Sequence, residues 1–382
     1  MTKHSIATLF AAAALGLLAA CAGTGDAPAP AATPPAAPDA LADYPPLPAG
    51  TAPGATPAAR QFAASLGRGV NFGNMLDAPT EGAWGLRVDD RYIALVGASG
   101  GWGNAERVQS VRLPVRWSNH ASTDAQATID PVFMARVDDI VTRLLARGVP
   151  VVMDMHHYHQ FDGDPVDAGD ITVPDAVIDA RFFAMWKQVA EHFRNFPAGL
   201  AFELYNEPHG RITTRWNDLM SRGVRLLRQS NPTRVIVLGP TQWNSARGLP
   251  DFTMPPDANL VLTVHHYDPF TFTHQGATWI TPVMPTGVGC CSAQQLADIR
   301  GPLDTAKAWG TAHGYPVYVG EFGAFNTVAV DDRNRYTRTI RDEMESRGMT
   351  WTYWELAAGF GFYDPDAGAV RTDGLADALY GS

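Results

Sequence analysis

A chain of 382 residues with 46% hydrophobic content is long enough to bury one large core, and an eight-fold barrel of this size is ordinary. Its formal net charge of -10, with Lys3, Lys187 and Lys307 as the only lysines, argues against nucleic acid or an anionic membrane surface as a partner, because both need clustered basic charge. Aromatic residues make up 10%, a share that suits a surface able to stack on rings and equally an aromatic core.

The N-terminus reads as a targeting device. Lys3 and His4 precede an apolar stretch over 6–20, too short for a membrane span and of the length of a signal core. It ends Leu18-Ala19-Ala20-Cys21, which resembles the bacterial lipobox and implies that 1–20 are removed and Cys21 is lipidated. An ordinary signal peptide with Cys21 incidental is the alternative. Ala22, not Asp, follows Cys21, so the expectation is an exported outer-membrane lipoprotein, periplasmic or at the cell surface, and otherwise a secreted protein. Residues 21–59 are rich in Ala and Pro, with almost no large apolar side chains before 57. Such a segment cannot offset the cost of ordering and is expected to be a disordered tether. The folded domain is expected over 60–382.

From residue 60 short apolar runs alternate with helical periodicity. Strands are expected over 68–74, 111–115, 149–155, 200–205, 235–238, 260–265, 317–319 and 350–354, and helices over 132–146, 176–193, 214–229, 293–312 and 332–347. In the first of these helices Val132, Phe133, Val137, Ile140, Val141, Leu144 and Leu145 approach an i, i+3, i+4 stripe. Gly148, Gly314 and Gly348 stand where C-terminal cap glycines would, just before strands three, seven and eight. Strand then helix, eight times, with nearly unbroken apolar strands, predicts an α/β fold: a single catalytic domain built as a closed parallel (β/α)8 TIM barrel. An open doubly wound sheet is the rival, but no Gly-x-Gly-x-x-Gly follows the first strand. The glycine-rich stretch 97–103 lacks a phosphate-binding lysine and reads as a loop.

Polar and aromatic residues collect where these strands end. Strand four gives Asn206-Glu207-Pro208, with Pro208 stopping the strand. Strand seven gives Glu321. The others supply Asn71 and Asn74, Arg112, Asp154 with His156, His157 and His159, Trp243, His265-His266-Tyr267, and Trp354. The C-terminal rim is where a barrel keeps its chemistry, and two rim glutamates are the minimum equipment for acid/base and nucleophilic work on one bond.

Asn-Glu-Pro, Gly320-Glu321-Phe322, Val111-Arg-Leu-Pro-Val-Arg-Trp117 and His265-His-Tyr267 resemble glycoside hydrolase family 5. The stretches from Arg68 to Pro79 and from Phe272 to Trp279 resemble its bacterial endoglucanases. The resemblance spans about 65–364. It implies Glu207 as general acid/base and Glu321 as nucleophile, with Arg112 and Tyr267 holding Glu321 and His265 lining the site. Asn206 would bond the sugar 2-OH, His156 a hydroxyl of the sugar beside the cleavage point, and Trp354 would give that ring its platform, while Asp154 supports His156 from behind. Asn71, Glu81, Trp84, Trp243 and Trp279 are candidates for outer subsites. The implied substrate is a cellulose-type or mixed-linkage β-1,4-glucan, cut internally by a monomer that needs no cofactor. A β-mannanase or xyloglucanase of the same family is the near alternative, and a non-catalytic glycan-binding surface lipoprotein the distant one.

His157-Tyr-His159 resembles the first ligand pair of metal-dependent barrel hydrolases. However, the first strand carries no His and a metal reading leaves two glutamates unexplained, so no metal is expected. Cys290 and Cys291 are adjacent, and the sequence leaves open whether they bridge each other or stay free.

Overall fold

The structure is a computed structural model, and it describes residues 41–97, 108–163 and 175–381. The expected signal segment 1–20, Cys21, the part of the expected tether up to residue 40 and the glycine-rich stretch from residue 98 onward lie outside them. Eight strands form one closed barrel in sequential order: β1 (Arg68–Asn71), β2 (Val111–Val115), β3 (Val151–Met155), β4 (Leu200–Glu203), β5 (Ile236–Leu238), β6 (Leu260–His265), β7 (Val317–Glu321) and β8 (Thr350–Tyr353). All neighbours are parallel, and β1 closes the ring on β8 through Arg68 to Trp351, Gly69 to Thr352 and Val70 to Tyr353. Nearly every strand residue is buried, as expected when helices cover the outside of a parallel sheet.

The expected helices are present, with small differences at their ends. Pro131–Ala146 starts on Asp130, whose carboxylate accepts from the Val132 backbone, and carries Pro131 in its first turn. Phe133, Val137, Ile140, Val141 and Leu144 face the core, whereas Val132, counted in the stripe, is exposed. It sits one step before the buried face begins.

Helix Pro57–Leu66 closes the N-terminal end of the barrel. Its Ala59, Phe62, Ala63 and Leu66 pack on Val152, Ala201, Val237, Val261 and Tyr318, residues at or near the starts of the strands. Thr56 caps it, accepting from the Ala59 backbone at 3.1 Å, and the cap is itself tied down by the Thr56 hydroxyl donating to Asn259 at 2.6 Å.

The segment 41–59, read from composition as tether, belongs to the folded unit. The Tyr44 ring meets Phe183 at 5.1 Å, and Leu47 N–H donates to the Ser221 hydroxyl at 3.0 Å. Arg222 and Arg225 of helix Trp216–Ser230 donate to the carbonyls of Tyr44 and Pro46, each at 2.8 Å. Composition misses this because three or four side chains suffice when the barrel supplies the partners. Cys290 and Cys291 are joined as a disulfide, in a loop held by Cys290 N–H donating to Asp332 at 3.2 Å.

Candidate active site

The C-terminal mouth is organised on Arg112 of β2, which is fully buried. Its Nε and Nη2 donate to both oxygens of Glu203 at 2.8 Å, and its Nη1 donates to Glu321 Oε1 at 2.7 Å. Nη2 also donates to Asn206 Oδ1 at 2.8 Å and lies 2.9 Å from Asp154 Oδ2. One guanidinium thus serves three carboxylates, a geometry its planar fork of donors permits and a lysine's would not.

Asn71, expected in an outer subsite, belongs to this buried group. Its Oδ1 accepts from Arg112 at 3.0 Å and its amide nitrogen donates to the Gly320 carbonyl at 2.9 Å. Glu81 is also held locally, its carboxylate accepting from Arg136 and from the Val88 backbone, both at 2.9 Å. Position near a strand end suggested a rim role for both, but their local partners spend them on structure.

Glu321 ends β7. Besides Arg112 it receives the Tyr267 hydroxyl at 2.8 Å, as the resemblance implied. Glu207 lies beyond the last residue of β4, Glu203, although Leu204 and Asn206 still donate to carbonyls of the neighbouring strands. Its backbone is left-handed, with φ 52°, a conformation rare for a side chain of this kind and typical of functional turns. His265 links the two acids: its Nδ1 is 2.8 Å from Glu207 Oε1 and 3.7 Å from Glu321 Oε2. Asn244 Nδ2 lies 3.4 Å from the other ring nitrogen and donates to it, so Nδ1 carries the hydrogen and gives it to Glu207. Among the described residues, Glu207, His265 and Glu321 form one of two groups whose possible ligand atoms lie within 4.8 Å of one another.

Burial pushes the Glu321 carboxyl up to about 7, with His265 and Arg112 opposing and Glu207 reinforcing the rise. Burial likewise raises Glu207 to about 7, opposed by His209 and Arg112. The two cannot ionise independently at this separation. Glu321 has an arginine and a tyrosine donating to it, while Glu207 has one imidazole and keeps a quarter of its side chain exposed. The first proton to leave the pair therefore leaves Glu321. Burial lowers His265 to about 4, so its ring is neutral near pH 7.

On the other side of the mouth, Asp154 lies 3.0 Å from His156 Nδ1, in the supporting position expected of it. The His156 ring lies parallel to the Trp354 indole, 5.7 Å away. Gly73 makes room for that indole, since a Cβ at 73 would come within 2.7 Å of it. Trp84, 41% exposed, meets His157 edge-on at 5.7 Å. Trp243 and Trp279, each 56% exposed, stand on the loops after β5 and β6. Asp77, His156 and His157 are the second group with possible ligand atoms within 4.8 Å. Both Asp77 oxygens already accept backbone N–H groups, from Asn74 at 2.9 Å and Met75 at 2.7 Å.

Sequence reading missed Glu203, Asp77 and His209. Glu203 left a signal, a carboxylate inside an apolar strand, which demands a buried partner. Asp77 lay inside the resembling stretch from Arg68 to Pro79 without being singled out, and His209 left no signal, because a loop contact brings it to the site. A cavity of about 780 Å³ lined by Arg91, Tyr363, Val370 and Arg371 is made of other residues altogether.

Residues 103–359 match the family model described as Cellulase (glycosyl hydrolase family 5). Endoglucanase H of Acetivibrio thermocellus is 33% identical over 310 residues, 81% of this chain but only 31% of that protein. Endoglucanase A of Ruminococcus albus is 24% identical, over 84% of this chain and 92% of the relative. Among solved structures, endoglucanase Cel5A of Thermotoga maritima superposes with a TM-score of 0.76 at 33% identity, covering 84% of this chain and 99% of that one. The same protein has been solved with mannotriose and with cellobiose.

Proposed function

The chain belongs to glycosyl hydrolase family 5, and from that premise we propose that it hydrolyses internal β-1,4 bonds of a cellulose-type or mixed-linkage glucan with net retention. The observation that carries this reading is the unequal pair at the mouth. Glu207 and Glu321 have oxygens within 4.8 Å, and retaining enzymes hold their carboxyl groups about 5–5.5 Å apart, too close for a water between them.

In the first step the Glu321 carboxylate, oriented by Arg112 and Tyr267, attacks the anomeric carbon and forms an ester. The bond to the glycosidic oxygen breaks, and that oxygen keeps the electron pair and takes the Glu207 proton. In the second step Glu207, now a carboxylate, removes a proton from water. The resulting attack on the anomeric carbon releases Glu321. Asn206 turns its carbonyl to Arg112, which leaves its amide N–H groups to donate to the sugar 2-OH. Trp354, stacked beside His156, offers an apolar face to the same ring.

Substrate rests on the relatives' names, which are those of endoglucanases. Mannan is the second reading, favoured by the solved complex of a relative with mannotriose. The test is a viscosity and reducing-end assay on carboxymethyl-cellulose, barley β-glucan, xyloglucan and mannan, with Glu207→Gln and Glu321→Gln beside wild type. Fast viscosity loss on the first two polymers, absent from both variants, is the expected result. Activity on mannan alone would move the substrate, and three proteins behaving alike would leave only a glycan-binding role. NMR of the first anomer released tests retention. We also propose export and anchoring through lipidated Cys21. Mass analysis of the mature N-terminus tests it, and an unmodified residue there overturns it.

A further inference from the structure

On the His156 side of the mouth, Asp77, His156 and His157 each offer a possible ligand atom, all within 4.8 Å of one another. Two loops bring them together, since Asp77 follows β1 and the histidines follow β3. Asp77 and His156 are buried and His157 partly so. Two imidazoles and one carboxylate are donor chemistry for a borderline divalent cation such as Zn2+. They suit Mg2+ and Ca2+ poorly, because those ions take oxygen ligands.

The groups behind these three side chains are placed as they are behind metal ligands. His156 Nδ1 is 3.0 Å from Asp154 Oδ1, and the other Asp154 oxygen is 2.9 Å from Arg112 Nη2. A carboxylate paired with arginine only accepts, so Nδ1 carries the hydrogen and Nε2 keeps its lone pair. Such a carboxylate behind an imidazole fixes the tautomer and strengthens the ring as a ligand. Asp77 is fixed as well, its Oδ2 accepting from Asn74 N–H at 2.9 Å and its Oδ1 from Met75 N–H at 2.7 Å. Each oxygen retains a second lone pair. In a continuing strand, neighbouring side chains would point to opposite faces. His157 instead has a left-handed backbone, φ 54°, and its ring meets that of His156 edge-on at 4.2 Å. A strained turn of this kind is held where a site needs it.

We propose that Asp77, His156 and His157 form an inhibitory site for a zinc-class cation. The site itself is independent of the glycosidase reading, and its inhibitory effect rests on that reading. His156, lying parallel to Trp354, is the residue expected to meet a hydroxyl of the sugar beside the cleaved bond. An ion on its Nε2 takes the lone pair that hydroxyl would use and stands where the sugar ring would lie. Hydrolysis by Glu207 and Glu321 has no step for this ion, which therefore acts as a brake. Ion and sugar weaken each other's binding by the same factor.

Calorimetric titration of chelator-treated protein with ZnCl2 tests the site without any substrate. The expected result is one ion per chain, bound at least about 100-fold more tightly by wild type than by His157→Asn, a larger loss than removal of an outer partner brings. Asparagine tolerates the left-handed turn and removes the imidazole. MgCl2 should give no binding heat, and Glu207→Gln, altered in the other group of possible ligands, should bind zinc as wild type does. Histidine-labelled wild type answers the same question by NMR with no variant, since zinc should shift the ring nitrogens of His156 and His157 among the 11 histidines. On cellotetraose, zinc should raise KM and leave kcat unchanged, as a competitor of sugar binding does. Equal zinc affinity in His157→Asn, loss of binding in Glu207→Gln, or NMR shifts at His265 instead would overturn the proposal. Zinc bound at the site by a protein inert on every glucan would leave the site standing and bring down the glycosidase reading.

Discussion

At the floor of the barrel, Phe62 and Leu66 of the closing helix meet Val152, Val237, Val261 and Tyr318, and the contact is apolar except for the buried Tyr318 hydroxyl, bonded to Thr352. At the mouth, one strand length away, Arg112 faces Asp154, Glu203 and Glu321, and burial has raised Asp154, Glu207 and Glu321 to about 7. The strands are shared, so the difference lies in which side chains their two ends point inward. The floor gains free energy from area removed from water. The mouth spends some of it keeping charge in a dry place, where each charge is worth more to a transition state.

The contrast is open to test from both ends. Glu321→Gln should cut kcat on the order of 10⁴-fold or more while the melting midpoint moves by only a few degrees, measured by steady-state kinetics and calorimetry on one preparation. Arg112→Met should damage both properties. It strands three carboxylates, so chemical denaturation should show a loss of about 3–5 kcal/mol, together with at least a 10²-fold fall in kcat. Phe62→Ala should cost a similar 3–5 kcal/mol yet leave kcat at 25 °C within about two-fold. A kcat that fell with stability would mean the two ends are not separable.

A smaller effect depends on pH. The carboxyl of Glu207 moves from about 4.3 in the unfolded chain up to about 7 in the fold. A raised carboxyl favours the folded state when protonated, so its cost is absent below about pH 4, grows as pH rises, and is complete above about 7. Glu207→Gln should therefore match wild-type stability at pH 4 and exceed it by about 3–4 kcal/mol at pH 8, read from paired denaturation curves. Smallest of all, Glu81→Ala should lose about 1 kcal/mol or less with its Arg136 pair and leave kcat/KM unchanged. A rise in KM would return Glu81 to the groove.

Much of this was legible in the chain. Apolar runs over 111–115 and 260–265 coincide with β2 and β6, because a strand buried on both faces has no other way to be written. Glu207 and Glu321 were legible because each interrupts such a run. Asn71 and Glu81 were assigned to the groove because a polar residue near a rim looks the same whether it points to solvent or to an arginine of the fold. The stacking of Trp243 on His209 was invisible for a different reason. It joins two loops through left-handed backbone at residues other than glycine, a conformation that sequence signals at glycine alone.

The strap over 41–56 bears on how the domain meets force. Tension entering from its N-terminal side reaches Tyr44, Leu47 and the two arginine-held carbonyls before it reaches Thr56 and the floor helix. These contacts lie in series along the pulled chain and can give way one after another, each absorbing part of the stretch. The helix that closes the barrel is thus shielded behind a row of sacrificial links, and a tug has to undo the strap before it can draw the stopper.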